Sequence, residues 1–303
     1  MLKRSLPICL FLLLPVLLHG QSILEITVDA GYSATLYKVA DGKRLGGVGY
    51  GADLGYSYFF HKNVGIGVGV GFRHYAGGAQ LNTLLDYPDV IDTDKEPYEH
   101  RTYLHNWREK QDLYYVEIPL SLQFRVPLHK INLWFALGAK YNIAVAGHTA
   151  AQGDITHRGY YEKWDLTMDI PAHGFYETSD FKPSMSLRPK NTVALFARMD
   201  VGIPLTEHWQ ILIGVNAHYC LMPAYVLDGK DDLGFRNDKA GWADAHYFMT
   251  DYSSLLHTPV LSGKANPLSV GLEVGVRYIF NKREKSYPCH CVTDRISWFQ
   301  PRR

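Results

Sequence analysis

Residues Tyr115–Val126 read Tyr-Val-Glu-Ile-Pro-Leu-Ser-Leu-Gln-Phe-Arg-Val, and every second position from Val116 onward is apolar. Mostly polar residues stand between them, so an extended chain has one apolar face and one mostly polar face. A period of two is typical of a β-strand with one face in apolar surroundings. The stretch is also longer than the five or six residues of an average strand, and it exceeds the roughly 9 to 11 tilted residues that cross a bilayer.

Seven further segments alternate in the same way. They lie at about 24–38, 46–60, 64–75, 131–147, 193–205, 209–222 and 268–280. Aromatic residues stand near both ends of their apolar faces, where amphipathic rings favour the headgroup level of a membrane. These aromatic residues are Phe60, Trp209, Tyr278 and Phe280 near the short turns, and Phe72, Tyr141 and Tyr219 toward the long loops.

The connections between these segments also alternate. Tight turns at 61–63, 128–130 and 206–208 take turns with long polar stretches at about 76–111, 148–191 and 223–266. Short turns on one rim and long loops on the other are characteristic of bacterial outer-membrane barrels. The sequence therefore predicts an all-β fold, an eight-stranded antiparallel up-and-down transmembrane β-barrel with short periplasmic turns and three long extracellular loops. A soluble β-sandwich is the alternative, because its strands alternate too.

The two ends of the chain differ from the barrel segment. Lys3 and Arg4 precede an apolar run, and the small residue Gly20 follows it, so residues 1–20 are interpreted as a signal peptide. The barrel is predicted over 21–280 and a periplasmic tail, containing Cys289 and Cys291, over 281–303. An even number of strands then places both termini in the periplasm, with the barrel in the outer membrane of a Gram-negative bacterium.

Charged residues recur on the polar faces of the strands. Because a charge inside a narrow barrel is costly unless it is paired, we expect a plugged lumen lined by an ion-pair network. Two pairs are predicted from strand register, Arg73 with Glu117 and Arg277 with Asp29. The predicted network consists of the acids Asp29, Asp53, Glu117, Asp200 and Glu273 and the bases Arg73, Arg125, Lys140, Arg198 and Arg277.

Glycine and proline shape the same strands. Eight glycines fall on the inward face at every second position of the second and third segments, which indicates space for long side chains such as Tyr115 and Arg125 from the opposite wall. A phosphate-binding loop is the alternative, but no helix follows these glycines. Pro119 has no amide hydrogen, so we expect a bulge or a break in the ladder there. The glycines are Gly47, Gly49, Gly51, Gly55, Gly65, Gly67, Gly69 and Gly71.

Composition and motifs exclude several functions. A balance of 31 Lys and Arg against 30 Asp and Glu offers no basic field for nucleic acid. Gly-x-Ser-x-Gly, His-Glu-x-x-His and Cys-x-x-Cys motifs are absent from the sequence, and its 14 His do not show metal-ligand spacing. We therefore expect no catalytic residue, no metal and no cofactor. If the protein were a lipid-modifying barrel enzyme, His74 or His218 would be the candidate residues.

The stretch Tyr115–Arg125, followed after a tight turn by a strand with Leu137 and Gly138, resembles the outer-membrane β-barrel families of Bacteroidota, which include PorT-like proteins. The resemblance implies the same eight-stranded layout and, through PorT-like members, an association with type IX secretion. It implies no functional residue in this chain.

The long loops contain Trp107, Trp164, Trp242 and many Tyr, which are preferred interface residues. Loops carry much of the function of rigid scaffolds. We therefore expect a surface-exposed binding or envelope-assembly role, with outer-membrane lipid around the barrel and a protein or glycan partner at the loops. A purely structural barrel with shielding loops is the alternative. No feature of the sequence specifies an oligomeric state.

Overall fold

The computed structural model describes residues 20–92, 94–171, 175, 177–227, 254–258 and 260–280, with the side chains of 83–90 excepted. The predicted signal peptide up to residue 19 and the predicted tail with Cys289 and Cys291 lie outside the described residues. Among the residues that are described, no helix is long and apolar enough to cross a membrane.

Almost all of the described chain is strand, arranged as one antiparallel sheet with two short 3-10 turns at Glu162–Trp164 and Leu255–His257. Pairing follows chain order except for short strands that attach to the fifth and last strands. The described strands are β1 Gln21–Val39, β2 Gly42–Phe59, β3 Val64–Ile91, β4 Pro97–Pro127, β5 Asn132–Tyr161, β6 Leu166–Met168, β7 Glu177–Phe181, β8 Ser184–Leu187, β9 Thr192–Pro204, β10 Trp209–Cys220, β11 Tyr225–Val226 and β12 Leu261–Ile279.

Eight of these strands form a closed ring in the order β1-β2-β3-β4-β5-β9-β10-β12, and β12 pairs back onto β1. The closing ladder runs from the Ile23–Ile279 pair to the Ala34–Leu268 pair without a shift in register. The predicted eight-stranded antiparallel barrel is therefore confirmed. Closure leaves these strands without a free edge, so their backbone groups are paired inside the ring.

Alternation sorts the side chains between the two faces of the barrel. On β1, Ile26 and Val28 point outward and are about half exposed, whereas Thr27 and Asp29 point inward and are buried. The other strands of the ring follow the same rule, so the barrel wears an apolar belt on its outer surface. Aromatic rings meet at the rim formed by the short turns, where Tyr278 packs edge-on against Trp209 and Phe280.

Three strands are much longer than the sequence predicts. β3, β4 and β5 contain 28, 31 and 30 residues, so most of the stretches 76–111 and 148–161 is paired strand rather than loop. We call residues 76–91, 97–113 and 146–161, together with β6–β8, the outer sheet. Register shifts between His105 and Arg108 exchange the two faces of β4, from Leu104 buried to Trp107 buried. This exchange interrupts the period of two and hides the strand from a parity test.

Pro119 interrupts the ladder between β3 and β4, as expected. Pairing passes from Val68–Leu120 to Gly71–Glu117, and the register is the same on both sides. On its other side Pro119 pairs with Lys140 of β5. The missing amide hydrogen therefore produces a short break, and the predicted alternative of a bulge does not occur.

Candidate functional site

The lumen contains two layers of buried charges. In the first layer Arg73, which is 1% exposed, donates from both terminal nitrogens to the carboxylate of Asp29 at 2.9 and 2.8 Å. Its Nε lies 3.1 Å from Oε2 of Glu117. Arg73 thus joins β3 to β1 and β4, and it forms the Glu117 contact that strand register predicts.

Lys140 completes this first layer from β5. Its Nζ lies 2.7 Å from Glu117 Oε2 and 3.2 Å from Asp53 Oδ2. Tyr75 donates its hydroxyl hydrogen to the other oxygen of Glu117 at 3.3 Å. Three carboxylates and two cations are therefore connected across four neighbouring strands and β1, which ties that half of the ring together through the interior.

The second layer is centred on Arg198. Its nitrogens lie 2.7 Å from Glu25, 2.9 Å from Asp200 and 3.3 Å from Glu273. Arg277 forms a second ion pair with Glu25, and its guanidinium lies 3.8 Å from the centroid of the Trp134 ring. Three carboxylates and two guanidinium groups are again gathered in one layer.

Two sequence predictions about the lumen need correction. Arg277 does not pair with Asp29, because the register of β1 and β12 sets Glu25 opposite Arg277 and Glu273 opposite Asp29. Arg125 lies at the short-turn end, outside both layers, where it donates to Gln21 at 2.7 Å and to the Lys62 carbonyl at 3.2 Å.

Glu25 is the charged residue that sequence reasoning missed, although it shares the inward parity of Asp29. With Glu25 included and Arg125 excluded, six carboxylates face four cations in the two layers of the described lumen. The acids are Glu25, Asp29, Asp53, Glu117, Asp200 and Glu273, and the cations are Arg73, Lys140, Arg198 and Arg277.

A small cavity of about 30 Å³ separates the layers. His218 and Asn216 line it, together with Gly55 and Gly67. His218 is 3% exposed, and neither ring nitrogen has a hydrogen-bond partner among the described residues. A polar cavity of this size has room for a few ordered water molecules and no larger solute. The glycines provide space as predicted, but it is used by another residue, since a Cβ at Gly51 would lie 2.8 Å from Arg73.

A hydrophobic cluster closes the outer end of the lumen. Leu255 and Leu256 are fully buried there, against inward residues of the barrel strands such as Tyr75 and Tyr115. Glu109 fixes this segment, because its carboxylate accepts hydrogen bonds from the Ser254 hydroxyl at 2.6 Å and the Leu255 amide at 2.9 Å. The lumen is therefore sealed twice, by charge in the middle and by apolar packing at the mouth.

The outer sheet has its own small core. Tyr98 stacks on Tyr161 with ring centroids 5.3 Å apart, and Phe175 packs edge-on at 5.7 Å. Next to them His157 Nδ1 lies 3.0 Å from His100 Nε2. Burial, and secondarily the neighbouring His100, lowers the pKa of His157 to about 3, so this imidazole is neutral at physiological pH.

The water-facing side of the outer sheet carries arginines stacked on tyrosines. Arg101 lies 4.0 Å from the centroid of the Tyr160 ring, and Arg158 lies 5.8 Å from that of Tyr103. Arg101 and Arg158 are directly opposite each other in the ladder between β4 and β5. Rigid aromatic rings and arginine are the side chains that dominate binding surfaces.

His74 lies on the outer face of β3, unlike the luminal His218. Its Nε2 lies 2.9 Å from Asp112, and its ring is covered by those of Tyr50 and Tyr114, with centroids 4.5 and 4.9 Å away. The second nitrogen, Nδ1, is buried without a hydrogen-bond partner in the described residues. A general base needs a nitrogen that reaches its substrate, so this geometry does not favour catalysis by His74. Within the described ranges, no three His, Cys, Asp or Glu side chains are arranged to hold a metal ion.

No protein-family model and no curated protein matches the chain. Three solved structures illustrate the similarity of fold. Neisserial surface protein A is 9% identical with a TM-score of 0.35, covering 86% of this chain and 97% of its own. The attachment invasion locus protein Ail of Yersinia pestis, in complex with the heparin analogue sucrose octasulfate, is 13% identical with a TM-score of 0.32, covering 86% and 99%. OprG of Pseudomonas aeruginosa is 12% identical with a TM-score of 0.32, covering 84% and 95%.

Proposed function

We propose that this protein is an outer-membrane β-barrel that is closed to solutes and acts at the cell surface, in binding or in envelope assembly, through its outer sheet. The apolar belt supports the membrane position, because water would not favour a closed ring with Val and Leu exposed on every strand. The proposal includes residues 1–20 as a signal peptide and places both termini in the periplasm.

The observation that carries the proposal is the double seal of the lumen below a sheet that continues past the belt. A barrel that passes solutes needs an open interior, whereas here ion pairs and the Leu255–Leu256 segment fill it. The long strands, by contrast, hold the outer sheet in a fixed shape through backbone pairing and a buried aromatic core. A pre-organised surface of this kind loses little entropy on binding.

The partner is proposed to be a protein or a glycan. Both are recognised by aromatic faces and by planar guanidinium groups, and the outer sheet presents the two in stacked pairs at Arg101–Tyr160 and Arg158–Tyr103. We assign no catalytic role to the protein and no cofactor. Outer-membrane lipid is its solvent around the belt.

Two experiments test the proposal. Boiled and unboiled samples of the outer-membrane fraction are compared by gel electrophoresis, and a folded barrel migrates differently from the unfolded chain. Absence of both the mobility shift and outer-membrane fractionation would refute the barrel.

The surface role is tested with a photo-crosslinking amino acid placed in intact cells at Arg158 on the outer sheet. The matched control carries it at Leu272, which lies on the belt and is 71% exposed. A defined partner captured from position 158 but not from position 272 is expected. Equal capture from both positions, or none from position 158, would contradict a binding role.

A further inference from the structure

The outer face of β2, β3 and β4 changes from apolar to basic just beyond a row of aromatic rings. The row consists of Tyr50, His74 and Tyr114, which are neighbours across the three strands. Beyond it, Lys110 and Arg108 occupy successive outward positions of β4. Lys43 of β2 comes close to Arg108 because both pair with Gln80 of β3. We call Lys43, Arg108 and Lys110 the basic patch.

The three cations of the basic patch are exposed, and none has a carboxylate within 4.0 Å among the residues that the structure describes. The nearest acid on the same face of β4, Asp112, is already engaged by His74 at 2.9 Å. The positive charge of the patch is therefore not neutralised from within the protein. Every cation of the two luminal layers, in contrast, has at least one carboxylate partner.

The height of the patch follows from strand geometry. Tyrosine rings mark the boundary between acyl chains and headgroups. Lys110 lies four residues beyond Tyr114, which is about 13 Å along the strand and about 10 Å along the barrel axis for a strand tilted by about 40°. The headgroup layer adds about 5 to 8 Å on each side of the hydrocarbon core. The long lysine and arginine side chains reach this layer by bending toward it.

We propose that the basic patch binds the phosphate groups of an anionic lipid of the outer leaflet. Arg108 presents a planar fork that matches a phosphate, and Lys43 and Lys110 add compact charges on either side of it. The acyl chains of the same lipid lie along exposed apolar residues below, such as Phe72 and Val70 of β3. The inference rests on the proposed membrane position, and it names the lipid chemistry that this face selects.

The test uses the full-length barrel, folded in zwitterionic detergent micelles and labelled with a fluorophore. It is titrated with lipid A, with monophosphoryl lipid A, with phosphatidylglycerol and with inorganic phosphate. Lipid A is expected to bind most tightly, and its affinity is expected to fall with added salt. Removing one phosphate weakens binding because one charge-assisted contact is lost.

Variants locate the site. Replacing Lys43, Arg108 or Lys110 by Gln is expected to weaken lipid A binding about fivefold each, since a basic residue near an anionic surface contributes about 1 kcal/mol. The control carries Lys163→Gln and Lys182→Gln on the outer sheet, farther from the rim, and is expected to bind within twofold of the unmodified protein.

Each outcome has a separate meaning. Equal affinities of the triple Gln variant and the control would overturn the patch. Inorganic phosphate binding as tightly as lipid A would assign the patch to a free anion and overturn the lipid. The heat-dependent mobility shift is recorded for every variant, so loss of lipid binding by a folded barrel is distinguished from failure of the barrel itself.

Discussion

Replacing Arg198 by methionine is expected to destabilise the barrel strongly, because this guanidinium serves three carboxylates at once. Asp200 and Glu273 have no other cation within 4.0 Å in the described part of the chain, whereas Glu25 keeps Arg277. Breaking one buried pair costs about 3 to 5 kcal/mol. Here two buried carboxylates lose their partner together.

An upper limit on the loss comes from protonation. An abandoned carboxylate accepts a proton if its charge costs more than neutralisation, which at pH 7 amounts to about 4 kcal/mol for a group with an ordinary pKa near 4. Two such groups set a ceiling of about 8 kcal/mol. We therefore expect the free energy of unfolding to fall by about 4 to 8 kcal/mol at pH 7. At pH 5 the same ceiling drops to about 3 kcal/mol, so the variant recovers as protons become available.

The assay is urea unfolding of the barrel refolded into phospholipid vesicles, followed by the mobility shift and by tryptophan fluorescence. If R198M does not refold, the charge-matched triple variant R198M/D200N/E273Q keeps the question answerable, because it removes the orphaned charges together with their partner. Lys182→Met, which breaks the exposed ion pair with Asp180, serves as a control and should change stability by less than about 0.5 kcal/mol. A loss below about 1 kcal/mol in R198M, or a triple variant no more stable than R198M, would refute the reasoning.

Three further predictions follow from the same structure. Gly214→Ala is expected to cost about 1 to 3 kcal/mol in urea unfolding, since its Cβ would lie 2.1 Å from Asp200 and 2.3 Å from the Met199 carbonyl; wild-type stability would contradict the close packing of this wall. Lowering the pH from 7 to 5 is expected to loosen the outer sheet, because the unfolded histidine takes up a proton near pH 6.5 while the folded His157, with its pKa near 3, does not; amide hydrogen exchange of 97–104 should rise, and His157→Phe should abolish the rise. The protein should show no steady conductance in planar bilayers, and neither should Glu109→Ala, because the charged layers still close the lumen after the mouth is loosened; conductance of Glu109→Ala would refute closure by the ion pairs.

The parity of side chains is a local property, and it predicts most of the barrel. Each of the eight ring strands and each of the three short turns is visible in the period of two, because one face meets lipid and the other meets the lumen along the whole strand. The parity of the sequence also separates the lumen residues from the belt. It places Arg73 and Glu117 on facing walls, and their nitrogen and oxygen atoms are 3.1 Å apart.

Register, in contrast, depends on how two distant strands align. The Arg277–Asp29 prediction fails because four residues separate Asp29 from Glu25, and both choices satisfy parity. The length of β4 escapes detection for a related reason, since the shift between His105 and Arg108 turns the buried face over. The seal by Leu255 and Leu256 brings together residues far apart in sequence, which no local pattern encodes.

The unequal strand lengths determine how far the protein projects from the cell. From Tyr114 to Pro97, β4 continues for 17 residues beyond the aromatic row, which corresponds to about 40 Å of height at the usual rise and tilt. A soluble partner therefore meets the tip of the outer sheet without approaching the bilayer itself. Because only three of the eight ring strands rise to this height, the tip has a defined compass direction around the barrel, and a second membrane protein beside it would encounter either a tall wall or a low rim depending on the side from which it comes.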